Sequence, residues 1–300
     1  FKGYSGLIAM QQVIDSTSDI IIGNPILSTA IGTFLSYLLR WWIIDCILIP
    51  YANGKKLKEK EGIKFGESGY FFLYYTTMFA WEVSVLYHSD YWWDNKLCWS
   101  QGWPFKPSPS EQLIYLIQIS NYLAAICWSL SPRNARAHHK DFWVLNFHHA
   151  VTALLVTFSW WKDFYRIGLI ILAVHDATDP LLESAKVAHY SNLNVTKNVL
   201  FAVFAVAFFV TRLLFYPFSV LIPNTGYAFE YIKYEPYSDI HISMLINLVS
   251  LWALQVLHIY WFYLIVKMMV KSLIKGELED IRSSGEEDEL NPDEKPFKKD

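Results

Sequence analysis

An all-α, polytopic membrane protein with about seven transmembrane helices is the fold class this sequence predicts, on three observations. Of its 300 residues, 53% are hydrophobic and 17% aromatic, with 13 Trp, 19 Tyr and 20 Phe; a soluble domain of this length does not need so many long apolar runs. Charge is gathered in short clusters between those runs, and the net charge of −3 itself says little. The clusters alternate in basic content, as loops on the two sides of a bilayer do.

The spans follow in order. Pro25–Pro50, Tyr70–Tyr87, Leu113–Leu130 and Phe142–Trp161 are apolar over about the length that crosses a hydrocarbon core as a helix. Ile167–Leu182 is shorter and carries His175, Asp176 and Asp179. Hydropathy alone makes it the weakest span, and it is kept because ionisable residues in a short span inside a bundle mark a functional site. Val199–Leu221 and Ile242–Met269 complete the set. The connection "NGKKLKEKEGIK" is lysine-rich, "SPRNARAHHK" holds Arg133, Arg136 and Lys140, and Lys186 and Lys197 flank the loop after the fifth span. Lys267, Lys271 and Lys275 follow the last one. The positive-inside rule then places the N-terminus outside or in a lumen and the C-terminus in the cytosol. No signal peptide is visible, and a start at Phe1 is compatible with native residues upstream.

Three units are expected: residues 1–66 with the first span and a basic loop, residues 67–275 with the other six, and an acidic, disordered cytosolic tail over 276–300. In that tail Ser283 and Ser284 each have an acidic residue three positions later, an acidophilic phosphorylation pattern beside which the plainer reading is a solvated tail. The three cysteines, Cys46, Cys98 and Cys127, lack metal-type spacing and argue against a disulfide framework or a zinc site.

The chemistry is carried by "VLNFHHAVTALLV", with His148 and His149 adjacent in a span, and by His175, Asp176 and Asp179 in the next. One histidine in a span, such as His258, is more often a helix-packing hydrogen-bond partner. Five ionisable groups together are costly to desolvate and point to a site. The link "KDFYR" is short, so the fourth and fifth spans form an antiparallel hairpin that brings His148 level with Asp179. His175 and Asp179 are four apart and share a helical face, while Pro180 ends or kinks that helix. A membrane di-iron site needs more histidines in the right boxes than this chain offers, so no metal is expected. An imidazole oriented by a carboxylate suits acid–base or nucleophilic work near neutral pH.

The stretches "KDFWVLNFHHAVT" and "RIGLIILAVHDATDPLLESAKVAHY" resemble the TLC-domain (TRAM/Lag/CLN8) family, and within it the ceramide synthases. The second follows the Lag motif at Arg166, Gly168, His175, Asp176, Asp179, Leu182, Glu183 and Lys186. The resemblance implies six helices forming a TLC bundle around a lipid cavity in the endoplasmic reticulum membrane. It implies N-acylation of a sphingoid base by long-chain acyl-CoA as co-substrate, with no cofactor, and carries His148, His149, His175, Asp176 and Asp179 over as active-site residues. His148 is the expected nucleophile, through an acyl-histidine, or the base; Asp179 would fix its tautomer. Arg133, Arg136, Lys140 and Lys186 are candidates for the CoA phosphates, or a topology signal alone. The link between the last two spans, with Tyr227, Phe229, Tyr231 and Tyr234, is expected to influence acyl length. Some animal relatives carry a homeobox-like insert after the first span. "YANGKKLKEKEGIKFGES" is too short for one, which leaves no nucleic-acid partner. Membrane lipids are partners, and a homo- or hetero-oligomer is compatible with the sequence. The rival class is a non-catalytic TLC-domain lipid sensor, carrier or translocation-associated protein, which has no need to bury the full His/Asp set.

Overall fold

A computed structural model describes residues 24–92, 94–98, 106–131, 142–234 and 240–275. All of its regular structure is helical among the described residues. Helix α1, Pro25–Gly54, starts at Asn24, whose side chain accepts from the Leu27 N–H, and has Pro25 in its first turn. A wide π-type stretch, Ile43–Leu48, lies within it. Helix α2, Glu59–Tyr87, crosses α1 where Gly66 and Gly69 lie close against Ile44, Ile49 and Leu48. Helix α3, Pro109–Ser129, opens on a capping box between Ser108 and Glu111, so it begins earlier than hydropathy indicates.

Helices α4, Phe142–Trp161, and α5, Tyr165–Asp176, form the expected short hairpin. Asp163 turns the chain with φ 59°, and the Phe164 N–H donates back to the Ser159 carbonyl at 2.9 Å. Gly168 of α5 is required here: a Cβ would collide with the Tyr115 hydroxyl and Ser159 Oγ. Helix α6, Asp179–Tyr190, follows after a break at Ala177–Thr178, with Pro180 in its first turn. Helix α7, Asn194–Phe208, runs on through a π-type stretch, Phe209–Leu221, into α8, Ile222–Tyr234. Helix α9, Ile240–Lys275, is the longest.

The fifth span divides into two helices just before Pro180, as that proline leads one to expect. One expectation changes. The link after Leu221 is helical through Tyr234 in the described part, where Asn224 and Thr225 donate to the Val220 and Leu221 carbonyls.

Among the described residues, four helical runs are long and apolar enough to cross a membrane: Pro25–Gly54, Phe142–Trp161, Asn194–Glu230 and Ile242–Ser272. Their outward faces carry large exposed apolar side chains such as Phe34, Trp143, Val206 and Val249, as lipid contact requires. The main buried core lies among α2, α3, α4, α5, the second π-type stretch and α9.

Candidate active site

His148 and His149 sit about a third of the way along the α4 hairpin arm, half-buried, and line a cavity of about 210 Å³ together with Asp179, Lys186, Arg212 and Trp261. Antiparallel folding about Asp163 is what brings Asp179 to the level of His148. The two do not touch: Asp179 Oδ1 lies 3.5 Å from Arg212 Nη2 and within reach of Thr178 Oγ1. His148 Nδ1 instead faces Thr152 Oγ1, one turn along its own helix, at 3.5 Å. The ring stands edge-on to Trp261, centroids 4.9 Å apart at 87°. Thr152 therefore holds the position that sequence reasoning assigned to Asp179.

His175 does not share this cavity. Its Nδ1 meets the Ile171 carbonyl at 2.7 Å and its Nε2 meets His258 Nε2 at 3.1 Å, with Tyr216 packed edge-on to both rings. A carbonyl can only accept, so the proton of His175 is on Nδ1. His175 and Asp179 fall apart because the helix breaks between them; the shared face expected at four-residue spacing requires a continuous helix.

Asp176, fully buried, points elsewhere again. Gln118 Nε2 donates to Asp176 Oδ2 at 2.6 Å and to Glu82 Oε1 at 2.8 Å, and the Tyr74 hydroxyl donates to Gln118 Oε1 at 3.1 Å. One amide thus ties a carboxylate of α2 to one of α5.

Arg212 is the residue the sequence reading overlooked. It lies in the π-type stretch, 4% exposed, and donates through Nη2 to the His175 carbonyl and to Thr178 Oγ1, while Nη1 is 3.2 Å from His258 Nε2. It thus satisfies a carbonyl left open where α5 ends and pairs with Asp179 where α6 begins. The signal was present: an arginine inside the apolar run "VAFFVTRLLFYPF" is as expensive as the histidines. Glu82 in α2 and Gln118 in α3 gave weaker signals, since other polar residues share those helices.

Lys186 lines the His148 cavity and pairs with Glu183 at 2.7 Å. Arg133, Arg136 and Lys140, and likewise Ser283 and Ser284, lie outside the described residues. Cys98 is buried in a short helical turn, where desolvation pushes its thiol up to about 12, an unreactive group.

A second cavity, about 70 Å³, has Thr152 in its wall, shares no wall residue with the first and is almost wholly apolar. Its wall includes Val156, Ser159, Gly168 and His175, and from α8 it takes Asn224 and Ala228. Of the aromatic residues expected to govern acyl length, Phe229 is 59% exposed and Tyr227 half-buried, while Tyr231 and Tyr234 lie on the same helix.

The TLC-domain family model matches residues 64–267. The chain is 35% identical to ceramide synthase 5 of Homo sapiens over 234 residues, covering 76% of this chain and 57% of the relative. It is 33% identical to ceramide synthase LOH2 of Arabidopsis thaliana over 251 residues, 83% of each. It is 35% identical to ceramide synthase 4 of Mus musculus over 240 residues, 77% of this chain and 56% of the relative. The chain thus spans little more than half the length of the two animal relatives and most of the plant one.

Proposed function

This chain belongs to the TLC-domain family, on its ceramide synthase branch, and we propose that it transfers a fatty acyl group from acyl-CoA to the amine of a sphingoid base. What carries this is one arrangement: a half-buried imidazole with a free Nε2, in a cavity that also holds a carboxylate, an arginine and a lysine, next to an apolar cavity. A passive lipid binder gains nothing from such a donor set.

The reaction runs in two steps. In the tautomer that carries its proton on Nδ1, facing Thr152, His148 keeps a lone pair on Nε2. That nitrogen attacks the thioester carbonyl. The C–S bond breaks, and CoA leaves as a thiolate that takes up a proton. The deprotonated amine of the base then attacks the acyl-imidazole. The amide C–N bond forms, the bond to Nε2 breaks, and the amine's proton passes to Asp179 or solvent. Before that step Asp179 holds the ammonium group. Arg212 and Lys186 face the developing negative charge and the CoA phosphates.

The helices are arranged as seven spans, the broken α5–α6 pair counting as one, in the endoplasmic reticulum membrane, with the N-terminus lumenal and the tail cytosolic. Protease added to sealed microsomes should remove an epitope placed after Asp300; a protected epitope would invert this topology. The activity is tested by incubating the purified chain with palmitoyl-CoA alone and then with sphinganine. Free CoA and a protein mass increase equal to the acyl group should precede any amine. CoA release only with the amine present would make His148 a general base, and no release with any base would refute the acyltransferase.

A further inference from the structure

His258 of α9 is fully buried and lines neither cavity, so packing alone would be served there by a leucine. Its imidazole instead stands between α5 and the second π-type stretch. His258 Nε2 lies 3.1 Å from His175 Nε2 and 3.2 Å from Arg212 Nη1. Both neighbours compete for that one nitrogen. His175 carries its proton on Nδ1, toward the Ile171 carbonyl, so its Nε2 offers a lone pair and needs a donor. Arg212 has only donors and needs an acceptor. A single nitrogen cannot serve as both. The charged donor prevails: a hydrogen bond from a guanidinium is about twice as strong as a neutral one, and a buried charge left without a partner costs more than a neutral group left without one. His258 therefore keeps its proton on Nδ1, a buried nitrogen with no hydrogen-bond partner among the described residues. Such a nitrogen is a cost to the fold, and what it secures is an acceptor for Arg212.

We propose that His258 is a positioning residue for the amine step: it holds Arg212 Nη1, and through Arg212 it orients Asp179 toward the ammonium group of the sphingoid base. The proposal rests on the acyltransferase reading and adds a residue to it. With Nη1 held by His258, the planar guanidinium turns Nη2 to the break between α5 and α6, where it meets the His175 carbonyl, Thr178 Oγ1 and Asp179 Oδ1. Thr178 and Arg212 both meet Asp179 at Oδ1, which leaves Oδ2 for the ammonium group. Little else fixes the guanidinium plane on that side. Arg212 Nε has no hydrogen-bond partner among the described residues, and the Phe208 ring lies beneath the group at 5.5 Å without a polar atom to orient it. His148, by contrast, takes its contacts from Thr152 and Trp261, and neither contact passes through His258. Attack on the thioester is therefore spared when His258 is replaced, and capture of the amine is not.

The purified full chain in phospholipid vesicles is assayed for ceramide with palmitoyl-CoA and sphinganine varied in turn. His258→Leu removes the acceptor and keeps an apolar side chain in the space. KM for sphinganine should rise at least about tenfold, with KM for palmitoyl-CoA within about threefold of wild type. His258→Gln should recover most of the loss, because its Oε1 reaches the depth of the imidazole Nε2 and accepts from Arg212, while its amide N–H donates to His175. His258→Asn should not, because its amide ends at the depth of Nδ1. Filling a core does not produce that order. His258→Leu with both KM values unaltered, or with both raised in proportion, would overturn the proposal, and so would His258→Asn recovering as much as His258→Gln. A second measurement does not depend on the folding of His258→Leu. The wild-type chain carrying isotope-labelled histidine is studied by NMR in lipid, the His258 signal being the one missing from His258→Gln. A bare Nε2 with the proton on Nδ1 is expected. A protonated Nε2 would overturn the proposal, since Arg212 could not donate to it. A wild-type chain that neither makes ceramide nor releases CoA would overturn the acyltransferase reading and this role with it, whereas wild-type turnover with an unaltered His258→Leu would strike His258 alone.

Discussion

His148 and His175 lie on the two arms of one helical hairpin, both in apolar helices, yet their surroundings differ in kind. His148 lines an open cavity and has one ring nitrogen engaged, with Thr152. His175, 7% exposed, has both nitrogens engaged, with Ile171 and His258. The same division separates the two aspartates. Asp179 faces the cavity beside Arg212, and Asp176 is enclosed with Gln118 and Glu82. Burial of an ionisable group in a membrane helix therefore does not by itself mark a reactant. Position on the cavity wall separates the two sets: His148 and Asp179 line it, and His175 and Asp176 do not.

Five substitutions at four positions bear on that division. The largest effect is expected for His148→Ala, which should lower CoA release at least about 1000-fold and abolish the acyl adduct. Its thermal unfolding in detergent should stay close to wild type, because little depends on the ring. A large loss of stability would erase the contrast with His175.

Arg212→Ala comes next. It strips the His175 carbonyl, Thr178 and Asp179 of one shared donor and leaves Asp179 uncompensated, a loss on the order of 3 kcal/mol. A marked fall in melting temperature should accompany a fall in activity. Arg212→Lys should recover only part of both, since one ammonium group cannot serve the carbonyl and the carboxylate in the same geometry. Full recovery with lysine would mean that charge alone matters there.

His175→Gln is expected to be milder in rate and to act mainly on the fold, costing about 1–3 kcal/mol through the buried contact with His258. The adduct on His148 should still form, more slowly, by mass spectrometry after acyl-CoA addition. If His175→Gln abolished the adduct with stability intact, His175 would join the reacting groups and the division would fall. The smallest effect is assigned to Gln118→Leu. It removes the donor shared by Glu82 and Asp176 and should lower stability by about 1–2 kcal/mol, with acyl transfer reduced less than tenfold. Gln118→Leu with wild-type stability would remove the amide bridge from the architecture.

Composition, the alternation of basic clusters and the apolar runs were enough to state an all-helical membrane chain. The adjacent pair His148–His149, the His175–Asp179 stretch and the short link at Asp163 were enough to place a polar site on one hairpin. These features are local, written in neighbouring residues, and periodicity exposes them. Which members of the site touch was decided by tertiary structure alone. The break at Ala177–Thr178 rotates His175 away from Asp179, and no helical repeat can anticipate the facing of residues across a break. Arg212, His258, Gln118 and Glu82 lie 33–83 positions from the partners they bind. Distance along the chain hides such pairs, since a hydrogen bond depends on where helices cross. The second cavity is likewise invisible in sequence. Its floor exists because Gly168 lacks a side chain at the point where Tyr115 and Ser159 meet, a coincidence of three helices that only packing brings about.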